Sequence, residues 1–155
     1  MSHNIPEISE EPVIAEVVSH SNFQVSVGAT GTKFLKEIRD NKTIMGIKCP
    51  SCKKVYVPPR SHCPICFDRM SEWVALSGKG SLTSYTIVRY PEPYMPKKTP
   101  YAYGIIQLDG ADTGMAHFLG EVDLDKIEIG VRLEPVFKEE REGSILDIDY
   151  FKPSS

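Results

Sequence analysis

No stretch of this chain approaches the roughly 18 consecutive apolar residues that a membrane-spanning helix requires, so no membrane span is expected. Residues 1–12 are polar and acidic, without the basic stretch and apolar core of a secretory signal. Both absences predict a cytoplasmic protein. A strong net charge is missing too. The 18 Lys and Arg against 21 Asp and Glu leave −3, which argues against a general nucleic-acid binder. No glycine-rich phosphate loop precedes a helix, and Gly78-Lys79-Gly80 reads better as a turn. The 4 histidines supply no catalytic set. His3 lies in the acidic tail, His20 has no visible partner, and His62 adjoins a cysteine. His117 falls in a strand, where a hydrogen-bonded structural histidine is a simpler reading than a general base.

Cysteine is scarce as well, and its placement says more than anything else in the chain. The only 4 cysteines form two similar pairs, Cys49-Pro50-Ser51-Cys52 and Cys63-Pro64-Ile65-Cys66, with ten residues between them. A Cys-x2-Cys turn curls its backbone N–H groups toward both sulfurs, and the proline after the first cysteine fixes φ within that turn. Two such turns complete a tetrahedral all-thiolate site with metal–sulfur distances of about 2.3 Å for zinc. Two disulfides would need an oxidising compartment, and a redox-active pair would not need a second matching pair. Zinc is favoured because a closed four-thiolate site offers no open position and needs no electron. Rubredoxin uses the same paired knuckles, so iron is the alternative metal. With all four thiols engaged on a metal, none is left as a nucleophile.

Charge divides the chain. Residues 33–98 hold 13 Lys and Arg against 5 Asp and Glu, whereas residues 99–155 hold 5 against 12. The basic half can attract phosphates or an acidic partner, with solvated lysines as the plainer alternative.

Residues 1–12 suit a disordered tail. Phe23, Val25 and Val27 alternate with Gln24 and Ser26, predicting a short strand that ends at Gly28. Over 32–41, Phe34, Leu35 and Ile38 share one helical face, with Lys33, Lys36, Glu37 and Arg39 around the rest. Thr30 or Thr32 is the expected N-cap and Asn41 the C-terminal stop. So short a helix is marginal alone, and its apolar face must dock on the rest of the chain or on another protein. Runs of β type at 44–47, 55–57 and 73–76 surround the knuckles, with Pro58-Pro59-Arg60 turning the chain between them. These few apolar residues cannot build a core alone, so metal binding supplies folding energy.

Further on, 81–90, 101–108, 113–119, 131–138 and 144–151 read as five strands. Asp109-Gly110 marks one turn, and four prolines between 91 and 100 mark a loop. Helix-favouring charges at 123–128 predict one helical turn before Gly130. Five strands with a short helical connection after the third make a Greek-key barrel of the OB type. The expected class is therefore mainly β: an N-terminal helix and a four-cysteine zinc ribbon, then a five-stranded OB-fold barrel. The expected divisions are a tail and short strand over 1–30, helix plus ribbon over 31–76, and barrel over 77–155.

Two surface features invite a ligand. The loop carrying Tyr90, Tyr94, Met95, Lys97, Lys98 and Tyr101 combines aromatics with cations. Lys53, Lys54, Arg60 and Arg69 on the ribbon could meet the phosphates of a nucleotide-bearing ligand. A proline-stiffened spacer and solvated charge are the plainer readings of the two.

In order along residues 31–151, these elements resemble the acyl-CoA-associated proteins with a rubredoxin-like zinc ribbon and an OB-fold, long labelled a domain of unknown function. The resemblance is carried by Lys33-Phe-Leu-Lys-Glu-Ile38, the two knuckles, Val57-Pro-Pro-Arg60, Ser77-Gly-Lys-Gly80, Ser84-Tyr-Thr86, Pro100-Tyr-Ala-Tyr103 and Ile129-Gly130. The family usually has glycine after the second cysteine of each knuckle, where Lys53 and Phe67 stand here. The resemblance implies a non-catalytic subunit that docks on a thiolase-fold enzyme and helps hold the CoA portion of an acyl-CoA. Within it, the subset most like this chain accompanies thiolases of anaerobic aromatic degradation, such as the small subunit of benzoylsuccinyl-CoA thiolase. On that footing Cys49, Cys52, Cys63 and Cys66 are structural zinc ligands, and Arg60, Lys97 and Lys98 are candidates for CoA contact. Phe34, Leu35 and Ile38 are the candidate docking face. Two other readings stand beside this one: a single-stranded nucleic-acid-binding module, which the acidic barrel half disfavours, and rubredoxin-like electron transfer.

Overall fold

The computed structural model describes residues 24–154 apart from 94 and 96. The expected tail at 1–12 and the first residue of the expected strand at 23–27 lie outside that range. Val25 and Val27 belong to no strand and are exposed. Helix α1 spans Gly28–Asn41, starting ahead of both threonines proposed as caps. The Ser26 hydroxyl accepts the Gly28 N–H at 3.3 Å, while the Thr32 hydroxyl donates to the Gly28 carbonyl inside the helix. The helix stops at the expected residue. Lys42 takes the left-handed conformation beyond it, and the N–H groups of Lys42 and Thr43 close a Schellman-type end on Ile38 and Glu37.

After the helix come β1 (Ile44–Lys48), β2 (Val55–Tyr56) and β3 (Glu72–Leu76), an antiparallel sheet in the order β2-β1-β3. Next are β4 (Gly80–Val88), β5 (Tyr101–Leu108), β6 (Gly114–Leu119), β7 (Arg132–Phe137) and β8 (Ile148–Pro153). They close a barrel in the order β4-β5-β6-β8-β7, with β6 and β8 parallel and the other pairs antiparallel. This is the OB arrangement expected from the strand pattern. β5 alternates buried Ala102, Gly104, Ile106 and Leu108 with outward residues, the period-2 signature of a one-sided strand. Gly80 opens the barrel where a Cβ would run into the Gln107 carbonyl, so no larger residue fits there. Among the described residues, no helix is long and apolar enough to cross a membrane.

Two sequence expectations are corrected. Residues 123–128 form a turn and not a helix, because the Asp123 carboxylate takes the Asp125 N–H and competes with the helical pattern. The expected strand at 144–151 begins with a 3-10 turn, Ile145–Asp147, and becomes β8 only at Ile148.

One apolar core joins helix, ribbon sheet and barrel. Phe34, Ile38, Ile44, Val55, Val57 and Leu76 pack in the same cluster as Leu82, Ile106, Leu133 and Phe151. Phe34 is 4% and Ile38 0% exposed, and the half-buried Leu35 packs beside them. The helix face expected to receive a partner is spent inside the chain, because a short helix gains its stability by burying that face.

Ribbon and barrel are also joined along the backbone of β2. The Asp112 carboxylate accepts the Val55 N–H at 2.8 Å, and the Asp112 N–H donates to the Val55 carbonyl at 2.8 Å. The Thr113 hydroxyl accepts the Val57 N–H and donates to the Val57 carbonyl, both at 2.8 Å. The β5–β6 turn thus covers an edge that β2 would otherwise leave open.

Candidate metal centre

The first knuckle joins β1 to β2, and the second lies between β2 and β3, flanked by the antiparallel His62–Arg69 bridge. In the first, the Lys53 N–H donates to the Cys49 carbonyl at 3.1 Å, and in the second the Phe67 N–H donates to the Cys63 carbonyl at 3.0 Å. The matched bonds give both turns one shape. Each ends on a left-handed residue, Lys53 at φ 62° and Phe67 at φ 61°. Glycine takes that conformation freely, whereas an L-residue gives up roughly 1–2 kcal/mol there. The strain implied by the two missing glycines is therefore present.

All four sulfurs lie within 4.8 Å of one another, and Cys52 and Cys63 are 3.7 Å apart. Cys49 and Cys63 are buried, Cys52 and Cys66 half-buried. A second apolar cluster of Ile47, Tyr56 and Met70 encloses the buried pair. Burial alone would push the Cys63 thiol up. The Tyr56 hydroxyl at 3.3 Å and the N–H groups of Cys66 and Ile65 outweigh it and draw Cys63 down to about 6. Burial and the neighbouring sulfurs push Cys66 up to about 12, and burial raises Cys49 as well. Without a cation, four thiolates this close repel one another too strongly to ionise together. A divalent ion removes that repulsion, and the closed four-sulfur set suits zinc as a structural ion with no position left for substrate. Tyr56 was not singled out in the sequence, where an aromatic within a short β run gives no sign of a sulfur contact.

The other candidate residues do not gather at this centre. Arg60 is exposed on the turn between the knuckles. Lys98 is exposed in the loop before β5, but Lys97 beside it is committed inward. The Lys97 ammonium donates to the Asp149 carboxylate at 3.0 Å and lies 5.0 Å from the Phe118 ring and 5.5 Å from that of Tyr150. Those contacts fasten the loop to β6 and β8. Lys33 lies over Trp73 at 4.6 Å.

His117 is buried, with Nε2 at 3.2 Å from the Ile145 carbonyl and Nδ1 without a partner among the described residues. That environment holds a neutral ring in place, as expected of a structural histidine. A cavity of about 480 Å³ opens at the barrel end beneath 121–131, floored by Leu82, Leu119 and Leu133. Glu121, Asp123 and Glu128 outnumber Lys126 at its rim, the wrong sign for CoA phosphates. The exposed positions of β5 and β6 are Tyr103, Ile105, Gly114 and Ala116. None carries the cation that a nucleic-acid groove needs.

Two stretches of the chain match known domain families. Residues 38–71 match the ChsH2 rubredoxin-like zinc ribbon domain, and residues 73–138 the ChsH2 C-terminal OB-fold domain. The chain is similar to a DUF35 domain-containing scaffold protein of Methanocaldococcus jannaschii, 30% identical over 126 residues, covering 76% of this chain and 86% of that one. It is also 30% identical over 84 residues to a probable enoyl-CoA hydratase alpha subunit of Thermomonospora curvata, covering 54% of this chain and 26% of that protein. Among solved structures, the Ltp2-ChsH2(DUF35) aldolase shares the fold with a TM-score of 0.65 at 22% identity, covering 85% of this chain and 100% of that one. The chain belongs to the family of DUF35 domain-containing scaffold proteins, with a zinc ribbon followed by an OB-fold.

Proposed function

We propose that this chain is a non-catalytic accessory subunit that docks on a thiolase-fold enzyme and helps position its CoA thioester. Zinc held by Cys49, Cys52, Cys63 and Cys66 keeps the docking module folded. The observation that carries this reading is the chemistry of the ribbon: a closed four-sulfur centre, suited to structure and not to turnover, in a chain of the scaffold family. The aldolase and hydratase names among its relatives are in keeping with a place beside enzymes of acyl-CoA metabolism. The carbon–carbon chemistry belongs to the partner, and the whole assembly works in the cytoplasm. Arg60 and Lys98 are the exposed cations offered to the CoA phosphates, while Lys97 supports the loop that carries Lys98.

Native mass spectrometry of the protein isolated gently from its own source tests the reading. A stable complex with a thiolase-sized chain, carrying one zinc per copy of this subunit, is the expected result. A lone chain, or one bound to nucleic acid, refutes it. Within such a complex, Arg60→Ala with Lys98→Ala should weaken acyl-CoA binding several-fold. An unchanged dissociation constant would remove these two residues from the CoA site.

A further inference from the structure

The second knuckle has a feature that neither the metal nor the core explains. Phe67 is 80% exposed, the most exposed large hydrophobic residue among those described, and it occupies a left-handed backbone position. Ile65 two residues earlier is 56% exposed, and Pro64 is exposed beside it. The matching position of the first knuckle holds Lys53, whose charge keeps it in water. Glycine would relieve the backbone, and a charged side chain would be hydrated. Phenylalanine forgoes both, and it belongs to neither apolar cluster of the described residues. A strained residue that stabilises nothing in its own chain points to a use outside it.

The net charge of the ribbon that carries this tip says what kind of surface fits it. Lys48 and Glu72 of the ribbon pair with each other, leaving Lys53, Lys54, Arg60 and Arg69 against Asp68. We propose that Phe67, with Ile65 beside it, is the anchor of the scaffold's interface with its enzyme partner, entering an apolar pocket rimmed by carboxylates. This rests on the reading of the chain as an accessory subunit. An exposed aromatic with apolar neighbours, on a ribbon of net positive charge, has the form of an interface hot spot. The knuckle is held by N–H···S bonds and backbone bonds, so the backbone that carries Phe67 is preorganised and only its side chain has to be ordered on docking.

The proposal gives stability and binding opposite signs, which makes it testable in the full chain. The complex is isolated, its partner identified, and binding measured calorimetrically for the wild-type, Phe67→Gly, Phe67→Asn and Lys53→Gly chains, with zinc content and thermal midpoint recorded for each. Phe67→Gly and Phe67→Asn should keep one zinc and a midpoint at or above wild type, while the dissociation constant rises tenfold or more. Lys53→Gly should gain the same midpoint while binding weakens by less than about fivefold, the loss of one rim charge. Wild-type affinity in both Phe67 variants overturns the anchor and leaves the accessory reading standing, since the wild-type complex has formed. Failure of the wild-type chain to form any complex overturns both. Phe67-dependent co-sedimentation with phosphatidylserine-containing vesicles, without loss of the complex in the variants, assigns the tip to a membrane surface and overturns the protein anchor.

Discussion

Ile38→Ala separates the two uses that its helix face could have. The side chain is fully buried in the cluster shared by helix, ribbon and barrel. The substitution deletes three carbons, worth about 2.4 kcal/mol at roughly 0.8 kcal/mol for each buried methylene. Incomplete collapse of the cavity adds about 1 kcal/mol, for a total of about 3.4 kcal/mol. In a chain of this length each kcal/mol lowers the thermal midpoint by roughly 2–4 °C, so a fall of about 10 °C is expected by calorimetry. Partner affinity, measured well below the midpoint, should stay within about twofold of wild type. An unchanged midpoint together with loss of the complex would show that the face is a docking surface after all, and that the packing argument is wrong.

Cys63→Ser removes a buried ligand of the centre and should reduce zinc from one per chain to near zero in a colorimetric release assay, with a fall in midpoint; retention of a full equivalent would exclude the four-sulfur centre. Burial depresses the His117 pKa despite its bond to the Ile145 carbonyl, with Lys97 opposing protonation and Asp149 favouring it. The unfolded chain then binds more protons than the native one, so stability is complete above about 6.5 and falls as pH drops below it. Denaturant titrations at pH 7 and pH 5 should show a smaller loss for His117→Gln than for wild type, and equal losses would rule His117 out as the cause. Burial raises the Asp147 carboxyl, but bonds from the N–H groups of Glu142, Gly143 and Ser144 outweigh it and leave a net lowering. Asp147→Ala strands those donors and should cost about 3 kcal/mol in chemical denaturation, whereas a cost below 1 kcal/mol would mean that water replaces the carboxylate freely.

What could be read from the chain was what repeats locally. The doubled Cys-Pro-x-Cys turn marks the centre, and the β-type run over 101–108, closed by Asp109-Gly110, matches the span of β5. The positive φ at Lys53 and Phe67 was legible because the turn's geometry was implied before its residues were weighed. The 3-10 turn before β8 carries a local sign of its own. Ser144 and Asp147 form a capping box, and that spacing is visible in the sequence. Other features had no local sign. Lys97 reaches a carboxylate 52 residues away, and β2 bonds to a turn 56–57 residues away. Helix burial was undecidable for a related reason: an amphipathic stripe states that a face must be covered, and not by what.

The seam between β2 and the Asp112-Thr113 turn has a mechanical consequence. Four hydrogen bonds and a shared core leave no hinge between the sulfur cluster and the barrel. The chain is thus a bracket of set angle. A protein gripping the knuckle and another resting against the barrel would be held at one separation and one orientation, with no linker to fluctuate between them.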